Sequence, residues 1–442
     1  MAVPAILPPR RTRPSTRHQF SRCHEPRPTA LMSQTRSVPT DLPSERLSAP
    51  PAAVQVRASL PRRVADMSAS PLHVTTFRCE PLADIEPQAL GLTYFFDAAA
   101  AGEPYSVTIR FTGRRIGAKG KRRPRDSFSV TETVEHVVPG SGRLAITARV
   151  VDVAPGEWQV TATPVNDTRS RAGATRSAPA PGPRLPSASA SGTTGFARVI
   201  SVRAPGTHLG AWPALVGLGV AVGLATQVLL ATHAHLHATR VLVVSLAASL
   251  VGLVGAKFYY LAGHYLGRHF LAGYDHRPAV LTAGLCIQGF VAGAVGTLVV
   301  GALVAGVPVG ALLDVTAPGL FLGMTIGRFG CFFGGCCVGR PTASRFGLWS
   351  SDQRLGVRRI PTQLLESTVA LSIGVPALLA MWMTTPHPAG VVFIGTISAY
   401  TLGRQLLFPL RDNARKTAHG RTLTMAFTGL VVLVDVAVGV FW

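Results

Sequence analysis

From about residue 211 to the end of the chain, apolar residues come in long runs interrupted by short polar stretches, without a regular stripe of either period. About 20 consecutive apolar residues cross the hydrocarbon of a bilayer as a helix. The runs predict about seven spans, near Trp212–Ala231, Val241–Gly263, Val280–Gly301, Val309–Gly327, Leu364–Trp382, Val391–Leu407 and Leu423–Phe441. Glycine recurs inside them, which suits close helix packing. Between about Leu72 and Val165 the pattern differs. YSVTIRF, DSFSVTETVEHVV, RLAITARVV and WQVTATPV alternate in character and are separated by GEP, PGSG and APGE turns. Period-two segments with such turns predict a small antiparallel β-sandwich, with an immunoglobulin-like arrangement as the candidate. It holds no catalytic constellation and reads as a binding or spacer module. Residues 1–70 are rich in Pro and Arg with no apolar period, and read as disordered. Residues 166–210 read as a Ser/Ala/Pro/Arg linker. The fold class expected is therefore an all-α polytopic membrane bundle (residues 211–442) preceded by a β-sandwich (72–165) and disordered segments.

Composition sharpens this picture. Mean hydropathy is +0.31 despite the polar first half, which requires a membrane-embedded second half. The net charge of +22 suits an anionic membrane surface. No zinc finger, RNA-binding signature or basic heptad accompanies it, so no nucleic-acid partner is expected. Six cysteines in 442 residues make no disulfide framework. Residues 1–50 lack the apolar core of a signal peptide, so either the first span starts export or the true start lies downstream of Met1. Arg268 and Arg277, the group from Arg340 to Arg359, and Arg411 to Lys416 fall in alternate loops on the N-terminal side. By the positive-inside rule that side is cytoplasmic.

The candidate chemistry centres on GRFGCFFGGCCVGRPT, from Gly327 to Thr342. Glycine admits close backbone approach, and the planar fork of arginine suits phosphate oxygens. The same arginines would also serve merely to set topology. Arg328 ends the fourth span and Arg340 opens the next loop. In RRIPTQLLES, Gln363 and Glu366 begin the fifth span, and Glu366 either pairs an arginine or compensates the helix dipole. Tyr400 and Arg404 share a helical face four residues apart, with Arg411 seven further on. Lys257 either snorkels or faces a polar cavity. Gln288 interrupts the third span as a helix-joining amide or a site group, and Asp314 early in the fourth span is a structural or substrate-binding carboxylate. His233, His235 and His237 in HAHLH read as loop residues more readily than as metal ligands, and the cysteines 331, 336 and 337 as a redox pair or packing. An arginine-rich, acid-poor membrane interior favours an anionic phospholipid headgroup. No cofactor or metal is expected.

These blocks resemble the prolipoprotein diacylglyceryl transferases over roughly the last half of the chain, in the same order. AGLCIQGFVAG is similar to the family's Gly-Gly-Met-Ser-Phe-His-Gly-Gly run. IGRFGCFFGGCCVGRPT resembles Gly-Arg-x-Gly-Asn-Phe-x-Asn-Gly-Glu-x-x-Gly-Arg, and RRIPTQLLES resembles Arg-His-Pro-Ser-Gln-Leu-Tyr-Glu. The Tyr400–Arg404 spacing also matches. The resemblance implies a bacterial plasma-membrane enzyme moving diacylglycerol from phosphatidylglycerol to the lipobox cysteine of a preprolipoprotein, with glycerol phosphate leaving. It assigns catalytic roles to Arg328, Arg404 and the position of Gln288. Tyr400, Arg411, Arg340, Asp314, Glu366, Gln363 and Lys257 are expected to bind substrate. It also implies an external N-terminus, which is preferred over the charge rule because substrate-binding arginines are not topology signals. The sandwich is then extracytoplasmic. The chain departs from the family at Gln288 (histidine there), Cys331 and Gly334 (asparagines), Cys336 (glutamate) and Phe408 (an acid in many members). The competing readings are a non-catalytic phospholipid-binding or scaffold protein on the same fold, and a carrier for a phosphorylated lipid or small anion.

Overall fold

A computed structural model describes residues 70–75, 85–118, 123–165, 183–200, 204–270, 286–412 and 419–441. The tail before residue 70, Cys23, Cys79, Arg277, Arg415 and Lys416 lie outside them. After a single turn α1 (Ala197–Ile200), seven helices among the described residues are long and apolar enough to cross a membrane. They are α2 (Ala211–His233), α3 (Ala238–Phe270), α4 (Ile287–Ala305), α5 (Val309–Gly334), α6 (Thr362–Met383), α7 (Val391–Leu407) and α8 (Gly420–Phe441).

Glycine sets the closest helix contacts. In GVAVG of α2 and GLFLG of α5, Gly219 faces Gly323 and Gly223 faces Gly319. A Cβ on Gly219 would stand 2.4 Å from the Gly323 carbonyl oxygen, so any larger residue pushes the two backbones apart. Gly255 and Gly289 join α3 to α4 in the same way. At the end of the bundle where α5 begins, buried Asp314 accepts from the Gly390 and Phe393 backbone N–H groups at 2.6 and 2.9 Å. It thereby caps α7, whose own N-cap residue Gly390 has no side chain to do so. At that end also, His233 stacks on Trp382 with ring centroids 4.4 Å apart.

Two expected spans change. The third begins at Ile287, so Gln288 stands in the first turn of α4 and not in mid-span. The fourth continues to Gly334, so Arg328 and Cys331 lie within α5, about two turns and one turn before its end. Leu, Phe and Cys sustain the helix through the glycines until Gly335, in left-handed conformation at φ 69°, closes it.

The polar half forms two facing sheets. Strands β1 (Leu72–Thr75), β2 (Gln88–Asp97), β3 (Tyr105–Arg115), β4 (Ser127–Val137), β5 (Arg143–Val151), β6 (Glu157–Pro164), β7 (Ala188–Thr193) and β8 (Gly195–Phe196) are all antiparallel where paired. One sheet runs β4-β3-β6-β7. Alternation in β3 buries Tyr105, Val107, Ile109 and Phe111 against Leu92, Tyr94, Ile146 and Trp158. The stretch expected as a linker is corrected in part: β7 lies within it and pairs with β6 from Glu157↔Thr193 to Ala162↔Ala188. ASASGT carries no large apolar residue, so its partner, and not its own pattern, makes it a strand.

The second sheet takes two strands from the membrane half. β9 (Leu348–Ser351) and β10 (Leu355–Arg359) form a hairpin between α5 and α6. The order is β1-β2-β5-β10-β9, and β10 meets β5 through Leu355↔Ile146 and Gly356↔Ala145. Val357 enters the sandwich core, Trp349 Nε1 donates to the Arg143 carbonyl at 3.1 Å, and Arg354 pairs with Glu132 at 2.7 Å. The sandwich is thus fixed to the bundle at the end where α5 stops and α6 starts.

Candidate functional site

The helix carrying Arg328 and the helix carrying Glu366 lie side by side, tied by Ser367 Oγ donating to the Thr325 carbonyl at 2.8 Å. Arg328, 13% exposed at its side chain, stands 2.9 Å from Glu366 Oε2 as an ion pair short of hydrogen-bond geometry. Its Nη2 donates to the Tyr400 hydroxyl of α7 at 2.9 Å. Arg411 follows the 3-10 turn Phe408–Leu410 and donates from Nη1 to Glu366 Oε1 at 2.8 Å. One buried carboxylate therefore serves two guanidiniums, and Arg411 Nε is buried without a hydrogen-bond partner among the described residues. Two guanidiniums on one carboxylate leave this trio net positive, a balance suited to an anion. Arg404 lies one turn beyond Tyr400, half-buried, and makes no hydrogen bond or ion pair with a described residue.

Arg340 is peripheral to this group. It is exposed, donates from Nε to the Arg411 carbonyl at 3.2 Å, and belongs to the bridge Gly339↔Arg411. Gly339 permits that approach, since a Cβ there would meet the Ile360 carbonyl oxygen at 2.1 Å. Gln363 donates to the Cys336 carbonyl at 2.9 Å and so positions the loop. Of the other expected site residues, Asp314 is the one placed away from the cluster. Asp314 has both oxygens committed to capping α7 at the opposite end. Gln288 accepts from the Cys286 thiol at 2.7 Å at the start of α4. Lys257 sits on α3 beside Ala256, whose carbonyl takes the Cys286 N–H. Arg359, by contrast, enters the sequence reading only as one of the topology-setting arginines. Its side chain is 1% exposed, pairing with Asp352 and Asp412 at 2.8 Å each and donating to the Gly339 carbonyl at 3.1 Å. The clasp links β10 to the loop that carries Arg411. Its acids lie 7 and 53 positions away, beyond any local pattern.

The cysteines gather at the same end. Gly335 folds the chain back so that Cys336 N donates to the Cys331 carbonyl at 3.1 Å, and the Sγ atoms of Cys331, Cys336 and Cys337 lie within 4.8 Å of one another. Hydrogen bonds from Cys331 and Cys336 hold the Cys337 thiol well below the ordinary thiol range, aided by the charges of Arg411 and Arg328. The same contacts push Cys336 up.

Seven apolar helices among the described residues, with a carboxylate-bridged arginine pair between three of their segments, define a multi-pass membrane protein. Residues 201–442 match the model of the prolipoprotein diacylglyceryl transferase family, and the chain belongs to that family of membrane enzymes. Among its relatives, a phosphatidylglycerol–prolipoprotein diacylglyceryl transferase of Synechococcus elongatus is 26% identical over 245 residues, 52% of this chain and 81% of the relative. One of Geobacillus kaustophilus is 27% identical over 234 residues, 50% and 84% of the two chains. A third, of Tropheryma whipplei, is 26% identical over 202 residues, 42% and 71%.

Proposed function

We propose that this enzyme transfers diacylglycerol from phosphatidylglycerol to the thiol of a lipobox cysteine in a preprolipoprotein, at the outer face of a bacterial plasma membrane. The observation that carries the reading is the shared carboxylate: Glu366 holds Arg328 and Arg411 together, while Arg404, one turn from Tyr400, pairs with no described residue. A phosphodiester anion entering there meets guanidinium groups already desolvated and oriented, which cost little reorganisation when charge builds on the leaving phosphate. The thiol sulfur attacks the glyceryl carbon of the diacylglycerol moiety. A C–S bond forms, the C–O bond to phosphate breaks, and glycerol phosphate leaves with the thiol proton. Arg328 and Arg404 grip the phosphate oxygens, Tyr400 orients Arg328, and Glu366 sets the spacing of the arginines. Gln288 is an amide and takes no proton at neutral pH, so it serves at most as a hydrogen-bonding group. The names of the relatives support the donor and the acceptor.

Incubation of the purified protein with labelled phosphatidylglycerol and a lipobox peptide tests this. Lipidated peptide and released glycerol phosphate are expected in equal amounts, with both lost in Arg328→Ala and Arg404→Ala. Full activity of either variant would refute its role. The substitution of glutamine for the family histidine favours a second reading, a phospholipid-binding protein without turnover. Phospholipid retained by the protein with neither product formed would select it.

A further inference from the structure

The three clustered cysteines have no part in the transfer chemistry, because the attacking thiol comes from the acceptor. We propose that Cys331, Cys336 and Cys337 form a binding site for a thiophilic d10 cation of the Cu(I) or Zn(II) class. Their sulfur atoms already lie within 4.8 Å of one another. With metal–sulfur bonds of about 2.3 Å, tetrahedral geometry sets the sulfurs about 3.8 Å apart. The largest closing movement is therefore about 1 Å, within reach of small side-chain rotations. Soft thiolates select Cu(I) and Zn(II) over harder ions.

The local fold holds the cluster ready. Cys331 is on the last turn of a membrane helix, and the left-handed Gly335 returns the chain across it. Cys337 itself has φ 56°, an uncommon conformation outside glycine, which the surrounding contacts hold. The backbone of the pair is pinned from α6, where Thr362 donates to the Cys337 carbonyl at 3.3 Å and Gln363 to that of Cys336 at 2.9 Å. All three residues are half-buried, shielded but open to an entering ion. Arg328 and Arg411 lie close enough to act on Cys337 electrostatically. Each thiol still protonated releases its proton on binding, and a Zn(II) ion would complete its shell with water. Metal capture here is independent of the transfer reaction.

The full-length protein, purified under reductant and stripped by chelation, is reloaded with Zn(II), with Co(II) as a spectroscopic probe, or with chelator-buffered Cu(I). One ion per chain is expected to survive buffer exchange, with sulfur-to-cobalt charge-transfer absorption in the Co(II) form. Cys331→Ser and Cys337→Ser should each weaken binding at least tenfold, whereas Cys286→Ser should not. In the unmutated protein, bound Zn(II) should protect Cys331, Cys336 and Cys337 from alkylation mapped by mass spectrometry, a measurement independent of how the variants fold. Retention no greater than in the triple serine variant, or alkylation unaffected by metal, would overturn the site.

Discussion

At Glu366 a single carboxylate compensates two arginines inside the bundle. Removing one partner of a buried ion pair costs about 3–5 kcal/mol, because the remaining charge is left without a counter-charge. Glu366→Ala is expected to lose stability of that order in denaturant unfolding of the detergent-solubilised protein, with Glu366→Gln, which keeps an acceptor, losing less. Arg404 makes the opposite case. It has no protein partner among the described residues, so Arg404→Lys should leave thermal unfolding within a degree or so while lowering transfer by about 100-fold, the loss typical of one electrostatic donor to a developing anion. Arg328→Lys should lower both, since its two contacts, to Glu366 and Tyr400, are lost together. Equal thermal losses for the two lysine variants would contradict this division. The pairing of Arg328 with Glu366 was an open possibility in the sequence, because RRIPTQLLES marks a carboxylate entering a span. Arg359 gave no such signal: its apolar surroundings come from distant strands and helices.

Among the elements, the glycine-lined contact between α2 and α5 sets where Arg328 stands. A Cβ on Gly319 would lie 2.3 Å from the Gly223 carbonyl oxygen. Gly319→Val should cost about 1–3 kcal/mol or more, as overpacking does, and lower activity along with the melting temperature. Gly217→Ala, with open space around its Cβ position, is the matched control and should be neutral or slightly stabilising. The helices were legible because hydrocarbon demands uninterrupted apolar length, and that demand shows in any single sequence. Their ends were less so. Arg328 and the glycines mark the expected close of the fourth span, yet the helix continues to Gly334, because backbone hydrogen bonds inside a bundle outweigh the weak propensity of glycine. The four-residue β9 and five-residue β10 were not recognised as part of the sheet. Strands of that length in GLWSSDQRLGVRR are defined only by the strand they join.

For the molecule as a whole, that hairpin makes the sandwich and the bundle depend on each other. A chain beginning at residue 204 keeps all seven membrane helices but leaves β10 without β5, and exposes Val357 and Trp349. It is expected to insert, yet to melt at lower temperature and to lose most transfer activity, because the Arg359 clasp on the Arg411 loop slackens. Activity equal to that of the full chain would show the sandwich to be dispensable for the site. The pairing also carries a rule of parity. Four membrane helices among the described residues separate β5 from β10, and only an even number of crossings returns the chain to the side where it began. Whichever leaflet the sandwich faces, the arginine-bearing loop faces it too, and an inverted or skipped helix would forfeit the sheet. A ribosome making this protein releases an unfinished edge first. Trp349 meets its acceptor 206 positions after Arg143 has been synthesised, so for that interval the membrane-insertion machinery handles a domain whose last strands do not yet exist.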